Sequence, residues 1–326
     1  MNSTVIQPPQ LSNGRLLLLG VSSVILCMSF IMSLFAPFPL ALAIILYGRT
    51  KGFLTGLAGL ILSFAFAILV YKSSTLFWFY VAIFVFGLGI GESILRGFSP
   101  IKSMLGLGLG FMLVVAVAAG AWIKSQNMGV EQFMIHEIEK NADKINEQKK
   151  MIEQSQDQNA IEVLNLLNNP KLMVKNFLEN LPVYFFIGVF LMLWFNMFLA
   201  LKSRRLLLSG NDYPYSEKNL LHFKVPFGFV FVLIAGLSLA LAGDHFGVSS
   251  YEIWGYNLIK CLGLFYFFQG FGVLSDLLSF IGVVGFFRTL IVTVVIFMAS
   301  YLIAAVGLFD NWFDFRKYFI KRKTEE

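Results

Sequence analysis

Trp254, Tyr256, Lys260, Gln269 and Asp276 are the residues of this chain whose chemistry would suit a polar ligand. The last three interrupt an almost wholly apolar stretch, residues 253–309, together with Arg288. A charge held in hydrocarbon costs about 2.5–3.5 kcal/mol even on the lenient insertion scale. Each such residue therefore needs a partner, a water-filled cavity or an escape to the interface. Two placements are open. Lys260 can snorkel outward and Asp276 can sit in a turn after Gly270, Gly272 and Ser275. Alternatively, Lys260, Gln269 and Asp276 face a central cavity that holds a polar ligand, which Trp254 and Tyr256 also contact.

Patterns for bond-breaking chemistry are missing. His136, His222 and His245 are scattered and form no His-Glu-x-x-His zinc motif. No Gly-x-Ser-x-Gly elbow, facing aspartate pair or nucleotide-binding Gly-x-x-x-x-Gly-Lys-Ser/Thr loop occurs. Cys27 and Cys261 both sit inside apolar runs, as small buried hydrophobes do. The expectation is a protein that is not an enzyme and carries no cofactor or metal.

Composition says what solvent the elements meet. Of 326 residues, 57% are hydrophobic and only 13% charged, and Phe alone occurs 36 times. Soluble domains carry about 25% charged residues, so lipid must cover much of this surface. The net charge of +6 comes from basic residues clustered at the ends of apolar runs. That is the placement of topology signals, not of a nucleic-acid groove.

Residues 1–14, with Pro8 and Pro9, read as a disordered leader. Residues 15–123 hold the first membrane segments. Leu16 to Ala36 is long enough to cross about 30 Å of hydrocarbon and lacks a cleavage site. A short apolar piece, 38–48, follows Pro37, and further spans run 53–71, 75–90 and 104–123. Residues 124–180 are polar and helical, with Met134, Ile138, Ile145 and Ile152 at steps of four or seven. Asn169-Pro170 has the signature of an N-cap with Pro at the first helical position. Residues 181–309 return to membrane character, and residues 310–326 form an aromatic and basic tail. Counting two short or re-entrant segments, 38–48 and 274–287, gives about ten membrane segments. That arrangement puts Arg15, Arg49, Lys51, Arg96, Lys102, Lys202, Arg204, Arg205, Lys218, Lys224 and the tail on the cytoplasmic side. The 124–180 insert, with nine acidic and seven basic residues, then projects outside as a helical hairpin. The predicted fold is an all-α polytopic bundle of eight to ten segments in a bacterial inner membrane, both termini cytoplasmic.

Three small-residue pairs, Gly52/Gly56, Gly87/Gly91 and Gly106/Gly110, each place two glycines on one helix face. Such faces let helix backbones approach closely. They serve packing within the chain, a homo-oligomer seam or a partner's docking face. In the tail, Trp312, Phe315 and Phe319 share one helix face at spacings of three and four, and Arg316 and Lys317 add cations suited to anionic lipid headgroups. Asp310 and Asp314, one turn apart, offer a second arrangement: pairing with Arg316, Lys317 or a basic loop, which fixes the tail against the body.

The ending Gly307-Leu308-Phe309-Asp310-Asn311-Trp312-Phe313-Asp314-Phe315-Arg316-Lys317 resembles that of the uncharacterised bacterial YybS-like membrane family. Gly270–Leu278, with Ser275-Asp276, is similar too. The resemblance covers most of the chain in hydropathy but only the tail in specific residues. That family is distantly similar to the substrate-binding S components of energy-coupling-factor transporters and to the shape-determining protein MreD. It implies a compact helical bundle with a short segment after the first span, where Pro37–Tyr47 fits. S components often use an Ala-x-x-x-Ala pair to dock their transporter, whereas the first span here has Ser29 and Ser33. The large insert is a second departure. Two functions follow as expectations. One is a substrate-capture subunit for a small polar molecule, working with an ATPase module. The other is a non-catalytic scaffold for a cell-envelope assembly.

Overall fold

The computed structural model describes residues 13–29, 32–125, 129–140, 169–207 and 213–322. Among these the elements are helical, with no strand, as an all-α membrane bundle requires. Hydrocarbon offers no hydrogen bonds, so each spanning segment must satisfy its own backbone. Among the described residues, seven helices are long and apolar enough to cross a membrane. The leader up to residue 12 and the centre of the insert, with Ile145 and Ile152, lie outside the described residues.

The helices are α1 (Asn13–Met28), α2 (Pro37–Tyr47), α3 (Arg49–Leu69), α4 (Thr75–Leu95), α5 (Pro100–Ser125), α6 (Val130–Lys140) and α7 (Pro170–Leu207). They continue as α8 (Glu217–Leu221), α9 (Phe229–Phe246), α10 (Ser249–Phe280), α11 (Gly285–Phe313) and α12 (Phe315–Arg322). The chain forms two compact units. One comprises residues 1–110, 188–227 and 263–326; the other comprises 111–187 and 228–262.

In the larger unit the expected first span, Leu16 to Ala36, is broken. Helix α1 stops at Met28, and a 3-10 turn, Met32–Phe35, leads into α2. Pro37 cannot donate to the carbonyls of that turn. Asn196 of α7 substitutes, its amide donating to the Leu34 carbonyl at 2.7 Å and to Met192 O at 2.6 Å. Ser23 of α1 likewise donates to the Ala36 carbonyl at 2.8 Å.

Helix α2 has 11 residues, about 16 Å of rise, so it cannot cross a bilayer. Eight of those residues are buried, so it lies inside the unit. The glycines explain how. A Cβ at Gly87 would overlap Leu40, one at Gly91 would overlap Ile44, and one at Gly52 would strike the Ile44 backbone. Gly56 accommodates the Phe84 ring and Gly59 the Tyr80 hydroxyl. Two of the predicted glycine pairs therefore serve packing within the chain. The third does not: a Cβ at Gly106 or Gly110 would meet nothing, and Gly108 instead packs against Phe190 and Leu193.

Two expected boundaries also change. Residues 274–287 are not a separate segment, because α10 runs unbroken to Phe280 and α11 begins at Gly285. The sequence Gly270 to Asp276 looked like a turn; in the fold Gly270 and Gly272 give room to the Ile303 and Leu221 carbonyls, so these glycines serve close approach. The main departure from helix comes later, at Ala299 (φ −136°, ψ 30°) inside α11. Arg288, before this bend, bonds Ser275, and Arg316, beyond the end of α11, pairs with Asp276.

In the smaller unit, Asn169 caps α7 as predicted, accepting from Leu172 N at 3.3 Å. That helix does not end before residue 181; it continues through Pro182 as one element of 38 residues. Gly247 (φ +67°) turns α9 into α10, and Gly243 and Gly255 bring the two backbones together at Glu252 and Ala240.

The contrast among glycines gives a measurable expectation. Gly91→Leu overpacks α2 and costs about 1–3 kcal/mol, as overfilled interiors do. Gly106→Leu meets open space and leaves stability unchanged. Thermal unfolding of the full chain in detergent, followed by loss of the monodisperse peak, separates the two. Equal melting of both variants contradicts the placement of α2.

Candidate functional site

The larger unit brings Gln269 and Asp276 of α10 together with Asp310, Arg316 and the segment 222–225. Gln269 is fully buried and uses both ends of its amide. Its Oε1 accepts from Val225 N at 2.8 Å, and its Nε2 donates to Asp310 Oδ2 at 3.0 Å and to Asn311 Oδ1 at 3.2 Å. Val225 precedes Pro226, and its amide has no helical partner there. Gln269 therefore satisfies a backbone donor that would otherwise be orphaned in an apolar interior.

Arg316 is only 7% exposed, whereas a cation at a lipid surface would keep its head in water. Of the two arrangements the tail sequence allows, the fold adopts the pairing with the body. Its Nη2 donates to the Gln269 carbonyl at 3.0 Å. Its Nε lies 3.8 Å from Asp276 and 3.9 Å from Asp310, close enough for charge pairing but too far for a hydrogen bond. The guanidinium occupies space that Gly272 leaves free, since a Cβ there would approach Nη2. The fully buried Asp310 accepts from Gln269 and, through Oδ1, from Phe315 N at 2.9 Å.

That last bond breaks the expected helix face. Asp314 takes the left-handed conformation (φ +46°), which Asp tolerates better than most residues. Trp312 therefore ends α11, while Phe315 and Phe319 belong to α12, and the three do not share one helical stripe. Trp312 is half exposed and meets Phe227 edge-on, and Phe319 stacks on Phe280. Asp314 is gripped by Lys317 at 2.7 Å and Lys224 at 2.9 Å. These hydrogen bonds hold its carboxyl below the usual carboxylate range. His222 reaches Asp276 at 3.3 Å.

The other three candidate residues belong to the smaller unit. Trp254 and Tyr256 are exposed, and Lys260 donates to Asn180 Oδ1 at 2.9 Å. Its neighbour Asn257 donates to the Glu179 carbonyl at 2.8 Å. In the larger unit a cleft of about 20 Å³, room for about one water, is lined by apolar groups including Phe190, Trp194, Phe265 and Phe268. Among the described residues no group of three or more His, Cys, Asp or Glu could hold a metal.

Sequence reading singled out Gln269, Asp276 and Arg316 but missed Asn196, which serves the turn before α2, and His222 as a partner of Asp276. Asn196 carried a usable signal, as the one amide between Leu181 and Leu201. His222 carried none, because a polar loop residue looks the same paired or solvated, whereas the expected pairing of a tail carboxylate with a basic loop is met by Lys224 and Asp314.

Two outcomes follow. Arg316→Met leaves Asp310 buried and unpaired, so unfolding in detergent shifts by about 3–5 kcal/mol. Lys317→Gln, at an exposed pair, barely moves it. The depressed Asp314 carboxyl contributes stability that is complete above about pH 3.9, its unfolded value. That contribution is lost as pH falls through the lower folded value. Hydrogen exchange across residues 314–322 accordingly rises in acid below about pH 3.9, and Asp314→Asn shows fast exchange at neutral pH.

Residues 16–311 match the family described as "Predicted membrane protein (DUF2232)". No curated protein and no solved structure matches the chain. With seven helices able to span a bilayer and a family match over most of its length, the chain belongs to the DUF2232 family and is a multi-pass membrane protein.

Proposed function

We propose that this protein is a non-catalytic scaffold subunit of a membrane assembly, in the manner of the MreD-like role that its YybS-like ending suggests. One observation carries the reading. Gln269, a prime candidate for contacting a polar ligand, spends its whole amide on Val225, Asp310 and Asn311. Its neighbour Arg316 is directed at the body of the protein, donating to the Gln269 carbonyl and lying in ion-pair range of Asp276 and Asp310. A capture subunit needs polar groups held unpaired for the ligand, because binding energy comes from bonds made only when it arrives. Here those groups instead fasten α10, the loop before α9 and the tail into one piece. Rigid helices with a fixed tail suit a surface that other proteins build upon.

The orientation that supports this role places the basic residues in the cytoplasm. Arg49, Glu92 and Arg96 meet at one end of α3 and α4. Tyr213, after the Lys202–Arg205 run, donates to the Phe98 carbonyl just beyond Arg96. These groups share one end of the larger unit, as the positive-inside rule expects of cytoplasmic residues.

Affinity purification of the intact protein from native membrane, with crosslinking and identification of partners and bound small molecules, tests the assignment. Envelope-synthesis proteins without a transport ATPase are the expected company. Recovery of an ATPase module, or of a stoichiometric small polar ligand lost in Lys260→Ala, favours the S-component-like capture role and overturns the scaffold.

A further inference from the structure

We propose that Arg49 and Arg96, held by Glu92, form a binding site for the phosphate of an anionic phospholipid headgroup. The site is independent of whether the protein scaffolds an assembly. Glu92 accepts from Arg49 Nε through Oε2 at 2.8 Å and from Arg96 Nε through Oε1. A single carboxylate thus holds two guanidinium groups, their Nε atoms within about 7 Å of each other. Both contacts use Nε. Among the described residues the terminal Nη donors of both arginines make no hydrogen bond, and the side chains are 61% and 55% exposed. Paired Nη groups are the part of arginine whose fork matches two oxygens of a phosphate.

The geometry favours a fixed pair over two floating side chains. Glu92 sits one turn before the end of α4, and Arg96 is the residue that follows that helix. Arg49 opens α3 immediately after Gly48, whose φ of +86° turns the chain out of α2. Gly48 supplies no side chain to cap α3. The positive end of that helix is therefore open beside Arg49, adding to the field that favours an anion. Two arginines against one glutamate leave a net positive charge, which a phosphodiester would neutralise. Lys51, in the first turn of α3, is exposed and adds a further cation.

Depth selects the source of the phosphate. Helices α3 and α4 are both candidate spans, and the cluster stands where both end. Headgroups occupy that layer. The same two helices carry exposed Phe53, Leu54 and Leu95, and exposed Phe98 follows α4, apolar surface against which acyl chains can lie. A free phosphate would gain nothing from those residues.

The test uses the full chain in detergent with phosphatidylglycerol, phosphatidylcholine or inorganic phosphate added, read by native mass spectrometry and thermal melting. Phosphatidylglycerol should be retained and raise the melting temperature, with phosphatidylcholine retained several-fold less. Arg49→Gln with Arg96→Gln should lower phosphatidylglycerol retention about fivefold, while the double lysine exchange, which keeps charge but loses the fork, falls between. If the double glutamine variant melts early without lipid, Arg96→Gln alone serves and should lower retention about twofold. Equal retention of the two lipids, or unchanged phosphatidylglycerol retention in the variant, overturns the site. Protection by inorganic phosphate as strong as that by phosphatidylglycerol overturns the lipid as its ligand.

Discussion

Backbone groups that lose their helical partners inside an apolar unit must find others, and α2 is where this protein meets that constraint. A helix of 11 residues is too short to reach both faces of a bilayer. Its preceding turn carries carbonyls that Pro37 and Pro39 cannot serve. Ser23 and Asn196, from two other helices, supply the donors. Close approach of α3 and α4 then does the rest. Gly52, Gly87 and Gly91 remove the side chains that would hold those helices away. Association of helices in lipid gains little from burial, since lipid tails are as apolar as the core, so fit and hydrogen bonds decide it. The N-terminal half is therefore organised around a short buried helix whose freed carbonyls an apolar interior would otherwise leave unsatisfied.

The C-terminal half meets the same constraint with charge. Buried ion pairs contribute little net stability, because desolvating two ions costs nearly what their attraction returns. Their value here is positional. Arg316 bonds the Gln269 carbonyl and lies in ion-pair range of Asp276 and Asp310, and Gln269 bonds Val225 and Asp310, which fixes α10, the 222–225 segment and α12 together. Gly270, Gly272 and Gly307 make the approach possible by leaving room for the Ile303, Leu221 and Tyr266 carbonyls. The aromatic stack of Trp194 between Phe198 and Phe268, with ring centroids 5.6 and 5.2 Å apart, secures α7 against α10 beside it.

How far the site was legible depended on what each residue's surroundings contributed. The membrane spans followed from apolar length, and the N-cap at Asn169 followed from a local rule that needs no partner. Gln269 and Asp276 stood out because polar groups in an apolar run demand an explanation. Whether that explanation was a ligand or another residue was not a local matter. Asp310 and Arg316 are six residues apart, but their common partner Gln269 lies some 40 positions earlier. The continuous tail stripe failed for a similar reason. Helical spacing assumed α11 continued through Asp314, whereas bonds from Asp310, Lys224 and Lys317 favour a break there.

The amino-acid sequence alone determined the solvent of this protein, the number of long spans to within one or two, and the ends at which positive charge gathers. Those properties are sums over composition and run length, and no distant contact changes them. Tertiary structure decided which glycine faces pack and which stay open, that 274–287 is no segment of its own, and that Arg316 turns inward. Each of these depends on where a second helix lies, and a helix's own residues fix only the face it presents, not what meets that face.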